Sequence, residues 1–144
     1  MAVVGTEKGG AGKPFGRDVE PDCPFCQLAG QDRFIAEYGQ VFAVRDKFPV
    51  TRGHHLVITK RHARDWFEMT FAERRDAEAL LLELKRQVLQ EHPEVTGFNI
   101  GMNCGAAAGQ TVMHAHIHLI PRRDNDVKNP RGGVRGCVPE RMGY

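Results

Sequence analysis

The sequence lacks any apolar run of the roughly 18–20 residues that a membrane-spanning helix needs. Its formal net charge of +2 provides no broad attraction for nucleic acid or for an anionic membrane surface. The first residues also lack the apolar stretch of a secretory signal peptide. With only four cysteines and no other sign of secretion, we expect a cytoplasmic protein with reduced thiols that binds neither nucleic acid nor membrane.

The first 20 residues have little hydrophobic pattern, although they hold five of the sixteen glycines. We predict that residues 1–20 form a flexible leader and that residues 21–144 form a single domain. Residues 9–14 are similar to a phosphate-binding loop, but Pro14 occupies the position of the Ser or Thr that would bind magnesium. The tail at 122–144 is rich in Arg, Asn, Gly and Pro, which predicts an extended path over the surface.

Short β-prone segments surround one long amphipathic helix. Thr70 and Glu73 have the spacing of a capping box, which predicts a helix from there to about Glu91, before Pro93. Its apolar stripe consists of Phe71, Ala77, Leu80, Leu81, Leu84 and Val88. Strands are predicted at residues 34–37, 41–44, 56–59, 97–102 and 115–120. This order of elements predicts an α+β fold with a mainly antiparallel sheet.

Three histidines occupy alternate positions near the carboxyl end of the chain: His114, His116 and His118. Alternate side chains of a strand point to the same face, so the three imidazoles form a row with neighbours about 6.5–7 Å apart. Near neutral pH an imidazole can act as a nucleophile, a proton carrier or a metal ligand. The row therefore predicts a reactive site, and a catalytic zinc held by all three rings is one alternative for it.

A loop of small residues leads directly into this row. It begins at Asn103 and ends with Gly109, Gln110 and Thr111. Small residues allow backbone N–H groups to approach a ligand closely, which suits an anion such as phosphate. The Gln110 amide and the Thr111 hydroxyl can add side-chain hydrogen bonds. We interpret the loop as a phosphate-binding element.

Cys23 and Cys26 form a Cys-x-x-Cys pair, which can be redox-active, metal-binding or simply two buried thiols. No thioredoxin-like strand precedes the pair, and a zinc ion would need two further ligands. Cys104 and Cys137 have no evident partners in the sequence, so we assign no function to them.

Together these features resemble the histidine-triad (HIT) family of nucleotide hydrolases and transferases. The family pattern His-φ-His-φ-His-φ-φ, with φ an apolar residue, is matched throughout residues 114–120, and Gly-Gln-Thr-Val at 109–112 also matches. Residues 53–62 resemble the family segment Gly-His-φ-φ-Val-Ile-Pro-Lys-x-His, with Thr59 in place of the usual proline. The resemblance covers about residues 23–122. It implies a HIT-like α+β fold, with a five-stranded antiparallel sheet, one long helix and a short N-terminal helix.

The resemblance implies a role for each matched residue. His116 would be the nucleophile that attacks the α-phosphorus of a nucleotide, and His118 would bind a non-bridging phosphate oxygen. His114 would support the site from the start of the strand, and His54 would lie beside the row as a further helper. Asp46 would bind the ribose hydroxyls. Phosphate and leaving-group contacts would come from the loop, through Asn103, Gly109, Gln110 and Thr111.

Some bacterial members of this family bind a structural zinc that is not needed for catalysis. The matching ligands here would be Cys23, Cys26, His62 and His114. The resemblance also implies a homodimer joined at its sheet edges and hydrolysis of a nucleotidyl–His116 intermediate by water.

The expected substrate is a dinucleoside polyphosphate such as diadenosine tetraphosphate. Arg122 and Arg123 place positive charge after the row, and the tail resembles that of bacterial diadenosine-tetraphosphate hydrolases. A nucleoside phosphoramidate is the alternative substrate.

Overall fold

A five-stranded antiparallel sheet forms the centre of the protein in a computed structural model, which describes residues 19–144. The predicted leader therefore lies outside the described residues, apart from its last two positions. The strands are arranged in the order β1-β2-β3-β5-β4. Their bounds are β1 Ala36–Tyr38, β2 Val41–Arg45, β3 His55–Thr59, β4 Val95–Gly101 and β5 His116–Arg123.

Two helices pack against this sheet, one on each face. The short helix α1, Pro24–Gly30, lies over the face that carries Phe42, Leu56 and Ile58. The long helix α2, Phe71–Glu91, covers the other face, where it meets Ile117 and Leu119. The predicted α+β fold, with one long and one short N-terminal helix, is confirmed.

The capping box at the start of α2 is present as predicted. The Thr70 hydroxyl accepts a hydrogen bond from the Glu73 backbone N–H, and the Glu73 carboxylate accepts one from the Thr70 N–H. Ala77, Leu80, Leu84 and Val88 are buried, but Phe71 is 77% exposed, so its place in the apolar stripe was wrong.

The core-facing position in that first turn belongs to Glu73 instead. Two residues turn a helix by about 200°, which points Phe71 away from the sheet when Glu73 faces it. Glu73 is buried because it pairs with Arg61, whose Nε lies 2.9 Å from Glu73 Oε1.

The tail folds back on itself where an extended path was expected. Two short 3-10 helices, Gly133–Cys137 and Pro139–Arg141, follow β5. The guanidinium groups of Arg131 and Arg135 lie over the Tyr144 ring, 4.6 and 5.1 Å from its centroid. Within residues 19–144, no helix has the length and apolar character needed to cross a bilayer.

Candidate active site and metal centre

The histidine row lies in the middle of the sheet, on the face opposite α2. His114 precedes β5 and is fully buried, whereas His116 is 7% exposed at the first position of the strand. The side chain of His118 is 24% exposed, and its ring centroid is 5.4 Å from that of His116. The row therefore opens to solvent at His116 and His118, while His114 supports it from inside.

The protonation state of His116 follows from its backbone contact. Its Nδ1 lies 2.7 Å from the carbonyl oxygen of His114. A carbonyl oxygen can only accept, so Nδ1 carries the proton, and in the neutral ring Nε2 holds a bare lone pair. Nε2 makes no hydrogen bond to any residue in the described part of the chain. The edge-to-face ring of Phe25, with centroids 5.0 Å apart, packs against this imidazole. His116 thus presents an unprotonated nitrogen from a fixed ring.

His118 is oriented by a chain of contacts that begins at the backbone of Val50. The Val50 N–H donates to Nδ1 of His54 over 3.0 Å, so the neutral His54 ring carries its proton on Nε2. That nitrogen lies 2.8 Å from His118 Nδ1 and 3.3 Å from Asp46 Oδ2. His118 Nδ1 therefore accepts, and its Nε2 carries a proton that is free to donate.

Both of these rings are neutral near pH 7. The pKa of His118 is lowered to about 4, chiefly by burial and also by the neighbouring rings of His116 and His54, against the opposing effect of Asp46. Burial also lowers the pKa of His54, although the Asp46 carboxylate acts in the opposite direction. The site thus combines one bare nitrogen with one N–H donor.

This proton arrangement does not suit a catalytic zinc held by the row. His118 has no bare nitrogen left, and His114 directs its free nitrogen towards the cysteines. Asp46, His54 and His118 have ligand atoms within 4.8 Å of one another. The Val50 N–H nevertheless keeps the proton on His54 Nε2, the atom that would have to bind the ion.

The loop before the row is built around Gln110, which is turned inward. Its Oε1 accepts from the Gly105 N–H over 2.8 Å, and its Nε2 donates to the carbonyl oxygens of Arg64 and Val112. Gln110 is buried, Thr111 is exposed and Asn103 is half-buried. Gly109 adopts a left-handed conformation with φ +90°, and its α-carbon faces the Asn103 side-chain amide. The side chains of Asn103 and Thr111 are available to a ligand, but the Gly109 N–H donates to the Ala106 carbonyl oxygen, and both ends of the Gln110 side chain are occupied.

The Cys-x-x-Cys pair meets two histidines in a buried cluster. Cys23 Sγ lies 3.3 Å from His114 Nδ1, and Cys26 Sγ lies 3.3 Å from His62 Nδ1 and 3.4 Å from His114 Nδ1. All four ligand atoms are within 4.8 Å of one another. In a tetrahedral zinc site with normal bond lengths, sulfur and nitrogen ligands are about 3.5 Å apart.

The surroundings of these four residues also suit a metal ion. His114 Nε2 donates to the Thr59 carbonyl oxygen over 2.6 Å, which leaves the Nδ1 lone pair towards the sulfurs. Burial raises the pKa of the Cys26 thiol to about 11, so a bound cation would have to displace the proton. The cluster therefore fits zinc in both ligand type and spacing. Cys104 and Cys137, in contrast, lie outside it as free thiols.

The two arginines after the row are engaged elsewhere. Arg122 donates through Nε and Nη2 to both carboxylate oxygens of Asp126, at 2.7 and 2.8 Å, and through Nη1 to Asn99. Arg123 donates to the Arg52 carbonyl oxygen, and its Nε lies 3.7 Å from Glu94 Oε2. The positive charge expected near the site from this pair is thus partly balanced, by Asp126 at Arg122 and by Glu94 at Arg123, while Arg123 Nε and Nη2 make no hydrogen bond within the described residues.

Comparison with known proteins decides the family. A family model described as the HIT domain matches residues 28–125, which include the histidine row, its loop and the segment around His54. The chain belongs to the HIT family. The resemblance inferred from the two motifs is thereby confirmed.

Relatives of known sequence cover most of the chain. An uncharacterized 16.1 kDa HIT-like protein of Mycoplasma pneumoniae is 36% identical over 104 residues, which are 70% of this chain and 72% of that protein. Adenylylsulfatase HINT3 of Arabidopsis thaliana is 32% identical over 120 residues, which are 81% of this chain and 60% of the plant protein.

Solved HIT structures share the fold. A zinc-bound histidine triad family protein from Mycobacterium smegmatis has a TM-score of 0.68 and 33% identity, over 75% of this chain and 80% of that one. A HIT family protein from Bacillus anthracis has a TM-score of 0.67 and 34% identity, over 73% of this chain and 76% of that one.

Two parts of the site were missed in the sequence. Phe25 packs on the His116 ring, and its position between the two cysteines was the available signal, since a metal cluster would hold α1 near the row. The Val50 N–H orients His54, but a backbone donor leaves no mark in residue types. His55 is buried on the other face, where it donates to the Gly53 carbonyl oxygen.

Proposed function

We propose that this protein hydrolyses nucleotides at the α-phosphorus through a covalent nucleotidyl–His116 intermediate. The observation that carries the proposal is the hydrogen bond from His116 Nδ1 to the His114 carbonyl oxygen, which leaves Nε2 unprotonated. Nε2 attacks the phosphorus as the bond to the leaving group breaks. Water then attacks the same phosphorus, the P–N bond breaks, and His116 is restored with a nucleoside monophosphate as product.

The carbonyl contact also suits the intermediate. Once Nε2 is bonded to phosphorus, the ring carries a positive charge, and the Nδ1–H that faces the His114 oxygen becomes a stronger donor. His118 directs its Nε2–H to the same side of the strand and can stabilise a phosphate oxygen. The Asn103 amide and the Thr111 side chain would hold the remaining oxygens, with Gly109 shaping the turn beside them, and Asp46 would accept from the ribose hydroxyls.

The substrate falls into one of two classes that share this reaction. A dinucleoside polyphosphate is supported by the resemblance of the tail to bacterial diadenosine-tetraphosphate hydrolases. A nucleotide with a compact leaving group, an amine or sulfate, is favoured by the pairing of Arg122 with Asp126, which leaves the Arg122 guanidinium less able to bind a polyphosphate chain. The relative named an adenylylsulfatase supports the second class.

A structural zinc bound by Cys23, Cys26, His62 and His114 is part of the proposal. The donor set and its spacing support it, as does the zinc-bound relative from Mycobacterium smegmatis. Bound zinc would fasten α1 to the start of β5 and thus hold Phe25 against His116. None of the chemical steps at phosphorus requires it.

A homodimer joined at β4 is also proposed. β4 is an edge strand of seven residues, and its Ile100 side chain is 53% exposed. An uncovered edge of that length favours pairing with another strand. Light scattering after gel filtration should give twice the chain mass, and Ile100→Lys should reduce it to one chain. A wild-type monomer would contradict the dimer. The cytoplasmic location stays a prediction.

Rapid-quench labelling tests the central step. An α-32P-labelled nucleotide substrate should leave label on the protein in an acid-labile, base-stable form, and digestion should place it on the peptide containing His116. His116→Ala should remove the label and lower kcat by several powers of ten. His118→Ala should still form the intermediate, with kcat lower by about 10²–10³. Label on another peptide, or full turnover by His116→Ala, would refute the mechanism.

The substrate classes separate in a panel assay. Turnover of diadenosine tetraphosphate, adenosine 5′-phosphoramidate and adenylyl sulfate is compared at equal concentrations in a metal-chelating buffer. An enzyme that prefers a compact leaving group should show a higher kcat/KM for adenosine 5′-phosphoramidate and adenylyl sulfate than for diadenosine tetraphosphate. Preference for the tetraphosphate would support the first class instead.

A further inference from the structure

We propose that Gln110 is a positioning residue that fixes the shape of the phosphate loop and does not itself bind phosphate. This inference rests on the function proposed above, because it concerns how that loop acts on substrate. It also reassigns a residue that the family resemblance placed among the phosphate contacts.

All the polar atoms of the Gln110 side chain serve the protein. Oε1 accepts from the Gly105 N–H at 2.8 Å, and Nε2 donates to the carbonyl oxygens of Arg64 at 2.7 Å and Val112 at 3.0 Å. These partners fix the orientation of the amide. In the flipped orientation, Nε2 would face the Gly105 N–H and Oε1 would face two carbonyl oxygens, so all three contacts would be repulsive. With 4% exposure, the side chain has no free N–H to offer a ligand.

These contacts close the loop into a ring. The backbone N–H of Gln110 donates to the Gly105 carbonyl oxygen over 3.1 Å, while the Gln110 side chain holds the Gly105 N–H. Gly105 and Gly109 both have positive φ, at +91° and +90°. Gln110 thus binds both the N–H and the carbonyl oxygen of Gly105, and these bonds hold the turn between Gly105 and Gly109 in one conformation.

The closed ring leaves a set of free donors. The backbone N–H groups of Ala106, Ala107 and Thr111 meet no acceptor in the part of the chain that the structure describes. Gln110 thus maintains the turn that carries these N–H groups, in the same loop as the Asn103 and Thr111 side chains that the proposed function assigns to phosphate.

The ring is anchored to a second rigid segment. The Arg64 carbonyl oxygen accepts from Gln110 Nε2, and the Arg64 N–H donates to Glu68 Oε2 at 2.8 Å. The Arg61 guanidinium donates to the Glu68 carbonyl oxygen and to Glu73 at the start of α2. The loop is consequently braced against the helix cap as well as against its own strand.

Gln110→Glu tests the brace with a side chain of the same shape. Above its pKa, the introduced carboxylate would direct an oxygen at the Arg64 and Val112 carbonyl oxygens, where the amide donated. When protonated it can donate once again and still accept from Gly105. We expect kcat/KM, relative to wild type at each pH, to fall about 10- to 100-fold at pH 8 and to recover as the pH decreases to 5.5. Gln90→Glu on the exposed face of α2 is the matched control and should give a pH-independent ratio near one.

Hydrogen exchange of the ligand-free protein provides the second measurement. Gln110→Met removes all three side-chain hydrogen bonds with little change in size and without charge. The Gly105 amide should exchange at least tenfold faster in this variant, and kcat should fall with it. If Gln110 contacts phosphate instead, Gly105 exchange in ligand-free Gln110→Met stays at the wild-type rate, which overturns the proposal, as does a pH-independent Gln110→Glu ratio. Failure of wild type to turn over any nucleotide would refute the proposed function, while the exchange result would still decide whether Gln110 braces the loop.

Discussion

Two replacements of His54 test whether its hydrogen bond to His118 contributes to catalysis. His54→Leu removes the donor 2.8 Å from His118 Nδ1 and leaves the Val50 N–H without its acceptor. Losing a hydrogen bond in a largely buried site costs about 1–3 kcal/mol. If the transition state depends on that bond, kcat/KM falls about 5- to 150-fold. His54→Gln can still donate towards His118, so its loss should stay within about tenfold.

Two measurements follow this change. Steady-state kinetics give kcat and KM at pH 7.5, and 15N chemical shifts of the His118 ring report which nitrogen carries the proton. In the wild type the shifts should place the proton on Nε2, and in His54→Leu they should show a mixture of both tautomers. Gln90→Leu, on the exposed face of α2, is the control and should change neither result.

Either of two outcomes would refute a catalytic role for the His54–His118 hydrogen bond. His54→Leu with kcat/KM within twofold of wild type would mean that the His54–His118 contact does not serve catalysis. Equal losses of kcat/KM in His54→Leu and His54→Gln would mean that the hydrogen bond retained by the glutamine amide does not contribute to catalysis, and that His54 acts through packing alone.

Four other outcomes are expected. Purified protein should contain about one zinc per chain by metal analysis, and Cys23→Ser should lower Tm more than it lowers kcat; metal-free protein of unchanged Tm would contradict this. Because burial lowers the pKa of His118 to about 4, below the value near 6.5 expected in the unfolded chain, kcat/KM should stay flat from pH 8 to about 5 and then fall. The free energy of unfolding should also decrease as the pH falls from about 6.5 to 4, since the unfolded chain takes up the proton first, and urea titrations that show no decrease would contradict this. Arg61→Met should destabilise by about 3–5 kcal/mol, because it leaves Glu73 as an unpaired buried charge, and a change below 1 kcal/mol would count against that role.

The histidine strand and the helix cap were predictable because periodicity and spacing determine them. Alternation alone places His114, His116 and His118 on one face, and the distance from Thr70 to Glu73 defines the capping box. Both features follow from local backbone geometry and do not depend on which segments pack nearby.

The hydrogen-bond partners of polar side chains were not predictable in the same way. Arg122 was expected to supply positive charge near the site, and the structure pairs it with Asp126, four residues further along the chain. The resemblance implied a phosphate contact for Gln110, and the structure shows its Nε2 donating to the Arg64 carbonyl oxygen, 46 residues earlier. Residue type shows which bonds a side chain can form, whereas the competing partner depends on tertiary structure.

The position of His114 connects the Cys23–Cys26–His62–His114 cluster to the proposed nucleophile, His116. Its side chain donates to Thr59 and directs Nδ1 at the cysteine sulfurs, and its carbonyl oxygen accepts from His116 Nδ1. Because the ring and the carbonyl oxygen belong to the same residue, a shift of the His114 ring would also move the oxygen that holds the proton on His116 Nδ1. Phe25 on α1 adds a second link, since it packs on the His116 ring between the two cysteines. A zinc ion bound at this cluster would therefore help to keep His116 Nε2 unprotonated, even though the proposed reaction at phosphorus does not require it.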